Sequence, residues 1–234
     1  GFANITATIV PWLVTGGTLE LSDALAEAPR TGTSDADVTV LPGPLVVPFV
    51  EAGRLDASRG VVLSVWRAPE RRPQNSTWPY AARLVDVLAF GEAGLVALRR
   101  LPDGGPAPLL PGPVHDTSGF SAISLRLSER GTLLVDGPMS PIEGKADAGL
   151  DTGIPCVMRT DGTLAVTGPP RGVVSVGGHR VAIDRLREAL AGAAPDAVVA
   201  ALPDRLTGQR LAASGLGSVE GHPLLNDAFR DRRP

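Results

Sequence analysis

Asp161-Gly162-Thr163-Leu164-Ala165-Val166-Thr167-Gly168, followed by Val173-Val174-Ser175-Val176-Gly177-Gly178-His179-Arg180-Val181, is the stretch on which the fold turns. Asp-Gly marks a turn, and Leu164–Thr167 is a short apolar run of strand character. Val173–Val176 is a second such run, and it stops at two glycines, which enter turn conformations without steric cost. Beyond them the period changes. Ile183, Leu186, Ala189 and Leu190 fall on one side of a helix over about 183–192. Val198–Leu202 then reads as a strand closed by Pro203-Asp204. Residues 169–234 are therefore expected to form a small α+β unit with a polar tail, in which 224–230 is the one short helical candidate.

Toward the N-terminus the texture differs. Apolar runs at 95–101, 121–127 and 132–136 alternate with Gly/Pro turns and show no helix-length period. Residues 95–168 are expected as a small distorted antiparallel β-barrel. Residues 1–94 alternate strand and helix patterns. Val38-Thr39-Val40-Leu41, Val61–Trp66 and Leu84–Ala89 are strands, and 45–54 is a helix ending at Gly53. Residues 18–28 are weakly helical through Leu21, Leu25 and Ala26, and 5–14 is a buried strand or a helix start. That order predicts a layered α/β segment. The fold class is thus α/β plus β, with a small α+β unit at the C-terminal end.

Charge excludes several functions. With 22 Lys and Arg against 25 Asp and Glu the chain is nearly neutral, and no basic stripe suggests nucleic acid or an anionic membrane surface. The run Ile5–Val14 is interrupted by Pro11 and falls short of the ~20 residues that span a bilayer. Cys156 is the only cysteine, so no internal disulfide closes, and a reducing cytoplasm fits. Its ordinary role is that of a small core hydrophobe. His115, His179 and His222 are far apart, and no metal site is expected. Lys145 is the only lysine.

The opening stretch resembles the junction between the large and small domains of adenylate-forming enzymes, the acyl-CoA synthetases, peptide-synthetase adenylation domains and luciferases. Those proteins show an Asp-Gly-x-Leu strand, a hinge, and a strand ending in Gly-Gly-x-Arg. Pro203-Asp204-Arg205-Leu206-Thr207-Gly208-Gln209-Arg210-Leu211 resembles the family's later Pro-Asp-x-x-x-Gly-x-x-Leu turn. Working upstream, Asp151-Thr152-Gly153-Ile154 stands where the family has Thr-Gly-Asp, and Gly131–Pro138 resembles its Gly-Glu-Leu-x-Val-x-Gly-Pro strand. Phe90-Gly91-Glu92-Ala93-Gly94 stands for Tyr-Gly-x-Thr-Glu, Trp66-Arg67-Ala68-Pro69 for Gly-Gly-Ala-Pro, and Pro11–Gly17 for the segment after the phosphate loop. The matches keep the family's order over residues 5–212.

The resemblance implies an acyl-CoA synthetase-like protein. ATP with Mg²⁺ would activate a carboxylic acid as its acyl-adenylate, and the thiol of CoA or of a carrier protein's pantetheine would displace AMP. It implies Phe90, Gly91, Asp151 and Thr152 as the nucleotide side, Gly177, Gly178 and Arg180 as the thiol side, and Trp12, Trp66 and Arg67 as walls of an acyl pocket. Arg67 offers five donors to a carboxylate or phosphate, and is equally an ion-pair partner for Glu70 or Asp86. The departures imply the alternative, a catalytically inactive homologue that binds a nucleotide or an acyl ligand. Ala93 and Gly94 replace the hydroxyl and carboxylate that hold phosphate and metal, with Glu92 the nearest acid, and hard cations need oxygen ligands. Ile154 replaces an aspartate, Pro169 a hinge arginine and Ser175 a lysine. No Ser/Thr-Gly-Thr-Thr-Gly-x-Pro-Lys loop and no late Pro-x-x-x-x-Gly-Lys occurs in the sequence. A third reading is a structural protein that acts through a partner, for instance as a homodimer.

Overall fold

The computed structural model describes residues 3, 5–21, 37–55, 58, 60–73, 78, 83–91, 93–115, 121–137, 149–191, 194–204 and 207–215. Glu92, Lys145, His222, Arg205, Leu206, most of the helix expected at 18–28 and the tail with its helix at 224–230 lie outside them. The chain divides into two compact units, Gly1–Arg171 and Gly172–Pro234.

The first unit begins with a helical segment, Ile5–Ile9 in π geometry running into α1 (Val10–Thr15), which decides between the strand and the helix start. Strand β1 (Val38–Pro42) leads into α2 (Gly43–Glu51), then β2 (Val61–Trp66), β3 (Leu84–Ala89) and β4 (Leu95–Arg99). These strands form one sheet in the order β1-β2-β3-β4. β1, β2 and β3 run parallel, and β4 is antiparallel at the edge. β4 was expected with the β region, yet it pairs with β3, because the tight turn Phe90–Gly94 folds the chain straight back.

Both faces of this sheet are covered. Alternation puts Val62 and Leu84 on one face, under Val46 and Phe49 of α2, with Leu55 and Trp78. It puts Val65, Val87 and Ala89 on the other, against Ala3 and Ala7 of the N-terminal segment. Near-continuous apolar strands are what a sheet buried on two sides requires.

Five further strands follow: β5 (Gly112–His115), β6 (Ser121–Leu127), β7 (Thr132–Asp136), β8 (Leu150–Met158) and β9 (Leu164–Val166). They form an antiparallel sheet in chain order, a half-barrel whose far edge is reached by a bridge between Leu109 and Leu164. One core runs through both sheets of the unit. Trp66, Leu88, Phe90 and Val96 pack with Ile123, Leu125, Leu133, Val135, Ile154 and Cys156. Burial of each such side chain stabilises by roughly 1.5–3 kcal/mol, which makes this cluster the main store of stability.

Among the described residues, sequence patterning missed four strands, β5, β8, His179–Ala182 and Gly208–Ser214, and β8 is the longest of them. Gly153 and Pro155 look like turn residues, yet they sit inside a nine-residue strand. The pairing of β7 with β8 shifts between Thr132 and Leu134, so the strand carries a bulge there. A bulge is where a proline without an N–H and a glycine at φ +66° fit a strand.

The second unit contains β10 (Val173–Val176), β11 (His179–Ala182), α3 (Ile183–Ala191), β12 (Val198–Asp204) and β13 (Gly208–Ser214). Its antiparallel sheet has the order β11-β10-β13-β12. Val174, Leu190 and Val199 are its buried apolar residues among the described ones. Among the described residues no helix is long and apolar enough to cross a membrane.

Candidate functional site

In open α/β sheets, ligands sit outside the carboxyl ends of the parallel strands. Here those ends are Pro42-Gly43, Trp66-Arg67 and Phe90-Gly91. Two of the three are closed by aromatic rings. Trp66 is 7% exposed and Phe90 2%. Both belong to the core that joins the two sheets, so neither offers a free face to a ligand. The expectation for Phe90 as an adenine platform and for Trp66 as a pocket wall thus falls on two buried residues.

The turn that follows β3 is compact. The Phe90 N–H donates to the Gly94 carbonyl at 3.0 Å, and the Ala93 N–H to the Phe90 carbonyl at 3.2 Å. Ala93 is buried, and Gly94 lies against Ile123 so closely that any side chain at 94 would run into it. The resemblance puts a hydroxyl and a carboxylate for phosphate and metal at these positions. Ala93 and Gly94 face the core and supply no oxygen, so the residues present do not fit Mg²⁺ or a triphosphate. Among the described residues no three His, Cys, Asp or Glu side chains stand together as a metal site.

Thr152 is explained by the bulge. Its hydroxyl donates to the Leu133 carbonyl at 2.8 Å and accepts the Ile154 N–H at 3.2 Å. It bridges β7 and β8 where the backbone ladder breaks, so it holds the strand. Ile154 is fully buried in the same core as Phe90. Replacing Thr152 with Val keeps the shape and removes both bonds. We expect a loss of about 1–3 kcal/mol in urea unfolding. A loss below the resolution of the method would mean that the hydroxyl is free for a ligand. Asp151 is exposed, and its carboxylate accepts the Gly153 N–H at 2.9 Å. Gly91 is exposed at φ +61°.

Trp12 of α1 is half-buried, and its indole N–H donates to the Gly17 carbonyl at 3.1 Å. Arg67 is half-buried and engaged by neighbouring groups. Asp86, offered as one of its partners, is instead taken by two other arginines. Arg100 Nε lies 2.9 Å and Arg72 Nη1 3.8 Å from Asp86 Oδ2. Ser64 donates to Oδ1 at 2.6 Å, and the Trp66 indole N–H reaches Ser64 Oγ at 2.9 Å and Oδ1 at 3.0 Å. Arg72 also donates to the Ala107 carbonyl at 2.9 Å. Burial pulls the Arg72 pKa below its ordinary value, Asp86 raises it again, and the neighbouring Arg100 charge lowers it further. This buried cluster was not found from sequence. Its only signal was a single Asp inside an otherwise apolar strand.

In the second unit Gly177 and Gly178 have φ of +57° and +84° and join β10 to β11. Two positive φ values make the two-residue turn that suits the twist of a hairpin. The Gly177 N–H donates to the Thr207 carbonyl. Arg180 is half-exposed on β11, across from Ser175, and engaged by neighbouring groups. Asp204 accepts the N–H and hydroxyl of Thr207 at 2.7 and 2.8 Å, which closes the β12–β13 turn.

No protein-family model and no curated protein matches the sequence. Solved structures do. A mutant of amide bond synthetase McbA from Marinactinospora thermotolerans superposes with a TM-score of 0.50 at 20% identity, over 80% of this chain and 45% of its own. A double mutant of o-succinylbenzoate CoA synthetase MenE from Bacillus subtilis, bound with a product analogue, gives 0.51 at 15% identity, over 75% of this chain and 40% of its own. The chain has the fold of the adenylate-forming enzymes. It spans less than half the length of these two. The chain has a turn in which Asp161 accepts from the N–H and hydroxyl of Thr163. Those bonds hold the exposed Asp161 carboxyl below its ordinary pKa.

Proposed function

We propose that this chain is a catalytically inactive part of an acyl-CoA synthetase-like scaffold, retained to bind a nucleotide or an acyl ligand and not to adenylate it. The observation that carries this reading is the turn Phe90–Gly94. Its Ala93 and Gly94 lie in the core, at the positions where the resemblance puts the phosphate and metal ligands. Catalysis by this fold is mostly electrostatic placement of phosphates, cation and carboxylate, and a site without oxygen ligands has nothing to place them with. Gly91 and Asp151 are the exposed residues offered to a nucleotide, and Gly177, Gly178 and Arg180 those offered to a thiol.

A second reading is the intact activity, AMP-forming activation of a carboxylic acid with transfer to CoA or a carrier thiol, completed by polypeptide beyond this chain. Gly172 favours it. This exposed glycine at φ +69° opens the second unit, where the family has its hinge.

Carboxylate-dependent ATP–pyrophosphate exchange separates the two when it is measured on the chain together with the completing polypeptide, where the first reading expects none and the second expects exchange. The chain alone is expected to give no exchange above a no-acid control, across short, long and aromatic acids with Mg²⁺ present. A thermal shift with AMP, CoA and acyl-CoA then reads binding, which raises Tm with ligand concentration. Exchange at enzyme-like rates would overturn the first reading, and no shift with any ligand would leave a structural role.

A further inference from the structure

The ring of Trp66 rests in a bed that is shaped for it on three sides. It lies at the carboxyl end of β2, flat against the backbone of Gly43 where α2 begins, and a single added carbon at Gly43 would collide with it. Its N–H meets two acceptors, Ser64 Oγ at 2.9 Å and Asp86 Oδ1 at 3.0 Å, both on side chains with no solvent exposure. Leu88 of the neighbouring strand and Phe90 just beyond it share its core cluster. Apolar faces with one aligned acceptor are the usual make-up of a site for a planar N–H heteroaromatic ring. Asp86 is oriented by charge as well as by packing, because Arg72 and Arg100 lie against its Oδ2 and Arg100 also donates to Oδ1 at 3.3 Å.

We propose that this bed is a planar-ring subsite occupied by the chain's own Trp66, and that Trp66 is the residue that excludes free planar heteroaromatic rings from it. The intact protein therefore takes no free ring into the bed itself. Removal of the side chain leaves a void of indole shape whose acceptors stay fixed, and cavities cut into cores do bind matching rings.

The test uses the full chain with Trp66→Gly and Trp66→Phe. In Trp66→Gly, indole added during refolding is expected to raise Tm by several degrees with saturable, millimolar dependence. Benzimidazole should act like indole. 1-Methylindole, which has the same ring without the N–H, should bind at least tenfold more weakly, as a lost hydrogen bond predicts. Wild type should show no shift with any of the three. Equal rescue by indole and 1-methylindole, or a wild-type shift equal to the variant's, would overturn the proposal. Trp66→Phe covers the case in which the glycine variant does not fold. It keeps a ring on Gly43 and withdraws only the N–H, and it is expected to fold with a lower Tm than wild type. An unchanged Tm would mean that Ser64 and Asp86 do not read the ring, and the subsite would not exist. None of these readouts involves ATP or a carboxylic acid, so their failure is distinguishable from failure of the functional reading.

Discussion

Asp86→Ala is expected to lower the unfolding free energy by about 3–5 kcal/mol, a large share of the 5–15 kcal/mol available to a typical domain. Asp86 is fully buried on the central strand β3 and is the shared counter-charge of Arg72 and Arg100, whose side chains are 2% and 4% exposed. Truncation leaves two guanidinium groups facing each other in the core. Arginine does not escape by losing its proton, so the charge stays and the desolvation cost is uncompensated. The substitution also strands the Ser64 hydroxyl and weakens the anchor of the Trp66 indole. Urea unfolding should show a lower midpoint with an unchanged slope. A loss under 1 kcal/mol would mean that the two arginines reach water or find another acid. Asp86→Asn keeps the size and one acceptor, and should fall between wild type and alanine, which separates charge from shape.

Phe90→Ala is the second large effect, at about 3–5 kcal/mol, the usual cost of deleting a buried phenyl ring. The ring is 2% exposed and belongs to the cluster that joins the parallel sheet to the half-barrel. Loss of it therefore loosens both sheets together. Phe90→Tyr discriminates between roles. A ring that stacks on a ligand tolerates an added hydroxyl. A ring sealed in this core has nowhere to put it, and the unpaired hydroxyl should cost about 1–3 kcal/mol. If Phe90→Tyr is as stable as wild type and Phe90→Ala loses less than 1 kcal/mol, Phe90 is not a core residue and regains its place on the nucleotide side.

Much of the strand order was readable because burial writes a local pattern. β2 and β3 are short, β-branched and apolar on both faces, and α3 carries its period on one side. Turn chemistry was equally local. Two adjacent glycines sit at positive φ in the β10–β11 hairpin, and an Asp accepts from a Thr three residues on in the β12–β13 turn. Chemistry of this kind depends on neighbours within a few residues, so a sequence carries it.

The site was much less legible. A motif gives the position of a residue along the chain but not which way it faces. Phe90, Ala93 and Gly94 stood in motif order, and whether they line a cleft or a core depends on Ile123, Leu125 and Leu133, far along the chain. β8 looked like a turn because its Gly and Pro are compatible with a strand only once β7 supplies the bulge.

Sequence alone determined the identity and order of most elements and the absence of particular side chains, such as an oxygen ligand at positions 93 and 94. Tertiary structure alone decided that Asp86 binds Arg72 and Arg100, that Thr152 mends a strand, and that Trp66 fills the end of its own sheet. The physical reason is range. Backbone propensity acts over a few residues, whereas burial and charge pairing act between whichever groups the completed sheets bring into contact.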